Sequence, residues 1–122
     1  MREFMSEKRR SIRIDTIMNA ICEMGRGIKR TYEIRNISKE GAMLLLDTPL
    51  DQGSELNLYM DVPGDNIPIF VPCSVAWQKG SLLEPKRRVY ETGVKFTEIG
   101  SSDKSRFFEY LYSQWLKLLE RK

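Results

Sequence analysis

The sequence predicts a mostly-β fold: a six-stranded antiparallel barrel with one C-terminal α-helix packed on it. Three observations carry this. Apolar residues alternate with a period of two through the middle of the chain, compact turn-forming clusters separate these runs, and after Gly100 the period changes to three and four residues. The chain has 122 residues, of which 41% are hydrophobic and 30% charged, enough for one domain with a buried core.

The first two strands, Ile14–Met24 and Lys29–Arg35, flank the turn Gly25-Arg26-Gly27. A third, Ala42–Leu46, follows the polar connection Asn36-Ile37-Ser38-Lys39-Glu40-Gly41. Glu55–Asp61 and Ile67–Trp77 alternate most plainly and are joined by Pro63-Gly64-Asp65-Asn66, so they form a hairpin. In the second of these, Ile67, Ile69, Val71, Cys73, Val75 and Trp77 share one face, while Pro68 and Pro72 on the other suggest an edge or bulged strand. A polar loop is expected over Lys79–Arg88, which holds Gly80, Pro85 and the basic triplet Lys86-Arg87-Arg88; Val89–Ile99 is then the sixth strand. Short antiparallel strands in this number favour closure, which leaves no exposed sheet edge.

Ser101-Ser102-Asp103 offers N-cap candidates for the helix. Phe108, Leu111, Tyr112, Trp115 and Leu119 form its expected apolar stripe, flanked by Phe107, Leu116 and Leu118. The arc is wide enough to serve a partner as well as the barrel, consistent with a monomer or weak homodimer. The expected organisation is an N-terminal arm over 1–13, a barrel over 14–99 and the helix over 100–122.

Composition narrows the function. There is no histidine, the commonest general base and metal ligand, and the two cysteines, Cys22 and Cys73, lie in apolar segments as packing residues. No carboxylate pair, nucleophile–base pair or phosphate-cradling glycine loop stands at a recognisable spacing, so no catalytic residue, metal ligand or cofactor is assigned and the chain does not read as an enzyme. No apolar run is long enough for a membrane span, and the opening residues lack the hydrophobic stretch of a signal peptide, so a cytoplasmic location is expected.

The net charge of +3 equals the charge of residues 1–13 alone, where Arg2, Lys8, Arg9, Arg10 and Arg13 outnumber Glu3 and Glu7. A short cationic arm on a neutral body points to a local anion site and disfavours nucleic acid as the partner. Within the arm, Arg9-Arg10-Ser11-Ile12-Arg13 is an R-x-x-x-R pair whose guanidinium forks suit phosphate oxygens and the O6/N7 edge of guanine; alone, it reads as a solvated basic tail. The second motif, Asn36-Ile37-Ser38-Lys39-Glu40-Gly41, is an N-x-S-x-x-G. Its Asn and Ser can bond their own backbone in a tight turn, and its Gly serves either a positive φ or a close approach, as in an ordinary strand connection.

Together, about 22 residues apart, the two motifs resemble the signature of the PilZ domain, a bacterial receptor domain for cyclic di-GMP. Arg9, Arg13, Asn36, Ser38 and Gly41 fill its positions. Glu7-Lys8-Arg9-Arg10 is similar to the family's lead-in and Gly93-Val94-Lys95-Phe96 to its late strand, so the likeness runs over roughly residues 7–112. The resemblance implies that Arg9 and Arg13 grip the phosphates and guanine edges of cyclic di-GMP. It also implies that Asn36 and Ser38 bond a guanine, that Gly41 keeps the turn open, and that Lys8 and Arg10 add contacts. A basic residue at Lys8 resembles the family members that take two stacked ligands, so two molecules per chain are expected. The implied function is an adaptor whose arm closes on cyclic di-GMP and so couples it to an unidentified protein effector in motility, adhesion or exopolysaccharide control. The competing readings are a small-barrel binder of single-stranded nucleic acid, using Arg9, Arg10, Arg13 and Lys86-Arg87-Arg88, and a PilZ-like protein scaffold that binds no nucleotide.

Overall fold

The computed structural model describes residues 14–25, 27–62, 66–83 and 87–120, the side chains of 16, 17, 81–83 and 87 excepted. The arm with Lys8, Arg9, Arg10 and Arg13, together with Arg26, residues 63–65 and Lys86, lies outside the described residues. Among the described residues six strands, β1 (Ile14–Met24), β2 (Ile28–Ile37), β3 (Gly41–Leu46), β4 (Glu55–Met60), β5 (Ile69–Leu83) and β6 (Arg87–Phe96), precede one helix, α1 (Ser101–Glu120). The strands close into an antiparallel barrel in the order β1-β2-β3-β6-β5-β4.

Alternation decides what is inside. Ile34, Leu44, Leu46, Leu58, Met60, Ile69 and Val71 project into the barrel and are almost completely buried, as are Cys22 and Cys73. Both thiols are free, and burial pushes Cys22 up to about 12 and raises Cys73 as well, so neither is a thiolate near neutral pH.

Three expectations are corrected. Lys79–Leu83 and Arg87–Arg88 are strand and not loop: β5 continues to Leu83 and pairs with β6 down to Leu83↔Arg87. A bulge between Val75 and Trp77 shifts the alternation by one residue, which sends Trp77 outward and Gln78 inward. Gln78 fits the interior because its amide is saturated: Oε1 accepts from Leu50 N–H at 2.7 Å, and Nε2 donates to Thr92 Oγ1 at 2.9 Å and to the Thr48 carbonyl at 3.1 Å. An inward glutamine and an outward tryptophan break the pattern that makes a strand legible.

The second correction concerns the prolines, which suggested an edge or bulged strand: β5 is bulged, between Val75 and Trp77, but closure leaves it no edge. Pro72 pairs with Asn57 of β4, and its carbonyl accepts from Thr97 N–H at 2.9 Å, immediately beyond the end of β6. Its N atom faces the same way, where the ladder has run out, so no bond is lost. Pro68 precedes the strand.

The third concerns the helix. Phe107 and Leu111, four residues apart, are its buried residues, with Phe108 and Tyr110 partly buried beside them. Phe107 packs edge-on against Phe96 at 5.6 Å between ring centroids. Tyr112, Trp115, Leu116, Leu118 and Leu119 are exposed. Asp103 lies inside the first turn; its carboxylate holds Arg106 at 2.7 Å, and Arg106 reaches the carbonyls of Ile67 and Pro68, which ties the helix to the start of β5.

Candidate functional site

The outer face of the barrel carries a row of residues matched in register across five strands: Asp15 on β1, Asn36 on β2, Met43 on β3, Gly93 on β6 and Trp77 on β5. Four of them, Asn36, Met43, Gly93 and Trp77, line with Ala42 a shallow hollow of 280 Å³. The floor of the hollow exists because Gly93 has no side chain. A Cβ there would collide with the Nε1, Cε2 and Cδ1 atoms of Trp77, so the indole lies directly on the glycine. Trp77 is nonetheless 48% exposed, which leaves ring surface open to solvent beside Asn36 and Met43.

Asn36 arrives on this face through an irregularity in β2. Ile34 pairs with Leu44 and Asn36 with Met43, so Arg35 is an extra residue in the ladder. Ile34 and Ile37 are both buried, while Arg35 and Asn36 between them are half-buried and both lie outside. Without the bulge, strict alternation would set Arg35 outward and turn Asn36 into the core.

The connection that follows is organised from within. Ser38 is 2% exposed. Its hydroxyl accepts from the backbone N–H groups of Glu40 and Gly41 at 3.2 and 3.3 Å and donates to the Gly41 carbonyl at 3.3 Å, while Ser38 N–H bonds that same carbonyl at 2.8 Å. Gly41 serves close approach. It pairs with Lys95, and a Cβ on it would strike the Val94 carbonyl oxygen. The turn is also tied to its surroundings, by Phe96 N–H donating to the Glu40 carbonyl at 2.8 Å and by Lys39 Nζ lying 5.4 Å from the Phe108 ring centroid.

The structure thus brings Asn36 onto an open face and places Ser38 and Gly41 just behind it as the frame of the turn. Ile14 pairs with Ile37, so β1 begins beside this turn. Trp77 and Met43 were not legible as site residues. Trp77 sits in a run whose alternation puts it with Val75, and only the bulge separates them.

A row of charged residues flanks the hollow. In the next row on the outer face, two register steps along, Glu33, Leu45, Glu91 and Lys79 lie side by side, with Lys79 Nζ 3.8 Å from Glu91 Oε1 and Arg35 Nε 3.4 Å from Glu33 Oε1. Among the described residues no cluster of side chains suits a metal ion, and no helix is long and apolar enough to cross a membrane.

Residues 7–113 match the PilZ domain family. The chain belongs to that family. Solved structures, PilZ domains among them, share its fold. K. pneumonia MrkH in its apo state superposes with a TM-score of 0.73 at 18% identity, over 91% of this chain and 53% of that one. The PilZ domain of YcgR from Escherichia coli, solved with c-di-GMP, gives 0.68 at 12% identity over 93% of this chain and 96% of that one. Borreliella burgdorferi PlzA in complex with c-di-GMP gives 0.62 at 13% identity over 99% and 57%. The chain therefore spans about half the length of MrkH. No curated protein matches the sequence.

Proposed function

We propose that this PilZ domain is a cyclic di-GMP receptor that performs no chemistry and passes the binding event to a protein effector. The observation that carries the reading is the row Asn36, Met43, Gly93 and Trp77, which offers an amide beside an aromatic surface already seated on the sheet. A purine stacks on such a surface at about 1–3 kcal/mol per base, and an amide can pair with its edge. MrkH, YcgR and PlzA, whose folds this chain shares, have each been solved with c-di-GMP.

In this reading Asn36 bonds a guanine edge and Trp77 stacks on a guanine face. Arg9 and Arg13 grip the phosphates, and Lys8 and Arg10 add contacts to a second ligand molecule. Ser38 and Gly41 act behind the surface by fixing where Asn36 stands. The cation-rich arm attracts an anion to a body that carries no net charge of its own.

Titration calorimetry with cyclic di-GMP tests the reading. The wild type is expected to bind two molecules per chain. Arg9→Ala and Arg13→Ala each remove charge-assisted bonds worth about 1.5–3 kcal/mol and weaken binding by tenfold or more, with unchanged thermal melts. A wild type that takes up no cyclic di-GMP overturns the reading.

A further inference from the structure

We propose that Arg35 is a ligand-binding residue, held by Glu33 until a phosphodiester oxygen of the bound cyclic dinucleotide replaces the carboxylate. The proposal rests on the receptor reading above and adds a residue to it.

Arg35 is the extra residue of the β2 bulge, and the β1 side of the same position is irregular too, since the β1–β2 register shifts between Asp15 and Met18. Both neighbouring ladders therefore give up regular pairing around this one position. The result is that a guanidinium and the Asn36 amide, covalent neighbours, project from the same face instead of opposite ones. A bulge beside a binding surface re-aims a side chain, and the side chains re-aimed here are a planar cation and a neutral amide.

The guanidinium is weakly committed where it stands. Its Nε is shut off from solvent and has no hydrogen-bond partner among the described residues. Glu33 Oε1, at 3.4 Å, offers charge attraction only. The two side chains are 41% and 35% exposed, and ion pairs this open contribute little to stability. Exchanging Glu33 for a phosphate gives the fork two oxygens in its own plane and a bonded Nε–H or Nη–H pair.

Geometry selects Arg35 over the other cation in the flanking row. Lys79 lies on β5 and is 71% exposed beside Glu91, whereas Arg35 adjoins Asn36 directly. Without a compensating cation, Glu33 would face an anionic ligand from the adjacent row of the same barrel face, two register steps away. Arg35 both screens that carboxylate and can leave it.

Calorimetric titration of wild type, Arg35→Gln, Glu33→Gln and the double variant with cyclic di-GMP tests this, with thermal melts alongside. Arg35→Gln is expected to raise the Kd about ten- to hundredfold, the range of a lost bidentate charged contact. Glu33→Gln, which frees the guanidinium, is expected to lower it about two- to fivefold. That gain disappears in the Arg35→Gln background if it acts through Arg35. Binding by Arg35→Gln within twofold of wild type overturns the proposal, as does a Glu33→Gln gain that persists without Arg35. Should Arg35→Gln fail to fold, Glu33→Gln with wild-type affinity overturns it as well. A wild type that binds no cyclic di-GMP overturns the underlying receptor reading instead, so the two failures are distinguishable.

Discussion

Gly41 and Gly93 lie on the paired strands β3 and β6, and neither has room for a Cβ, yet the obstacle differs. At Gly41 it is the Val94 carbonyl, part of the barrel's own backbone; at Gly93 it is the indole of Trp77, a side chain that can rotate away. One glycine belongs to the turn, whose polar groups are spent on each other; the other belongs to the hollow, whose aromatic surface is left open. Contact between atoms is therefore not one thing in this molecule. Where backbone meets backbone the glycine serves stability, and where backbone meets a side chain it shapes the hollow proposed to take the ligand.

Gly41→Ala is the substitution expected to break this distinction most visibly. The carbonyl cannot move without separating β3 from β6, so a loss of about 3 kcal/mol or more is expected, near 4 °C of Tm per kcal/mol for a domain of this size. Urea unfolding monitored by circular dichroism measures it. A loss under about 1 kcal/mol would mean that the ladder relaxes around a Cβ and that the turn is less rigid than its bonds suggest. Ser38→Ala follows in size. It leaves the N–H of Gly41 unmet in a buried turn and that of Glu40 at its rim, so a loss of about 1–3 kcal/mol is expected. At temperatures where the variant is folded, its cyclic di-GMP affinity should stay within a few fold of wild type, because the hydroxyl points into the turn and only the placement of Asn36 depends on it.

Sequence made the barrel legible because the inward residues here are almost all apolar and recur at every second position. It failed at two positions where local geometry resets the alternation, the bulge before Trp77 and the bulge at Arg35. A bulge is one residue whose pairing is skipped, and no residue type is obligatory in one, so Ala76 and Arg35 carry no mark of it. The same blindness hid the extension of β5, since Gln78 reads as surface until its three hydrogen bonds are seen. On the helix, Phe107 and Phe108 are both candidates for the buried stripe, and sequence cannot say which the barrel will accept. Of the site, the motif residues Asn36, Ser38 and Gly41 stood out by spacing, but their division into one outward, half-buried amide and two framing residues required the fold.

Gly93→Ala sharpens the other half of the comparison. A methyl on Gly93 is expected to lift the indole from the sheet at a stability cost of about 1 kcal/mol or less, since the ring is already half exposed and can turn into solvent. Cyclic di-GMP affinity should nevertheless fall about tenfold, the stacking worth of one base. Fluorescence in a Trp115→Phe background isolates Trp77 and should show a red shift on Gly93→Ala. An unchanged affinity together with a displaced indole would remove Trp77 from the binding surface.

The smallest expected effect is at Lys39, which lies inside the signature turn and carries a charge that an anionic ligand would welcome. The structure gives that charge a different use. Its Nζ lies 5.4 Å from the centroid of Phe108 on α1, within the range where an ammonium is drawn to an aromatic face, and at an exposed residue this is worth about 0.5–1 kcal/mol. Lys39→Gln keeps most of the side chain's length and removes the charge. A stability loss of about 0.5 kcal/mol is expected, absent in a Phe108→Leu background, with cyclic di-GMP affinity unchanged within twofold. The double-mutant cycle measures the coupling and calorimetry the affinity. A tenfold loss of affinity without coupling to Phe108 would move Lys39 from the turn's frame to its ligand face, and with it the boundary between the two regions. The expected result instead fixes that boundary between Asn36 and Ser38: residues up to Asn36 meet the ligand, and those from Ser38 to Gly41 hold the barrel and its helix in place behind it.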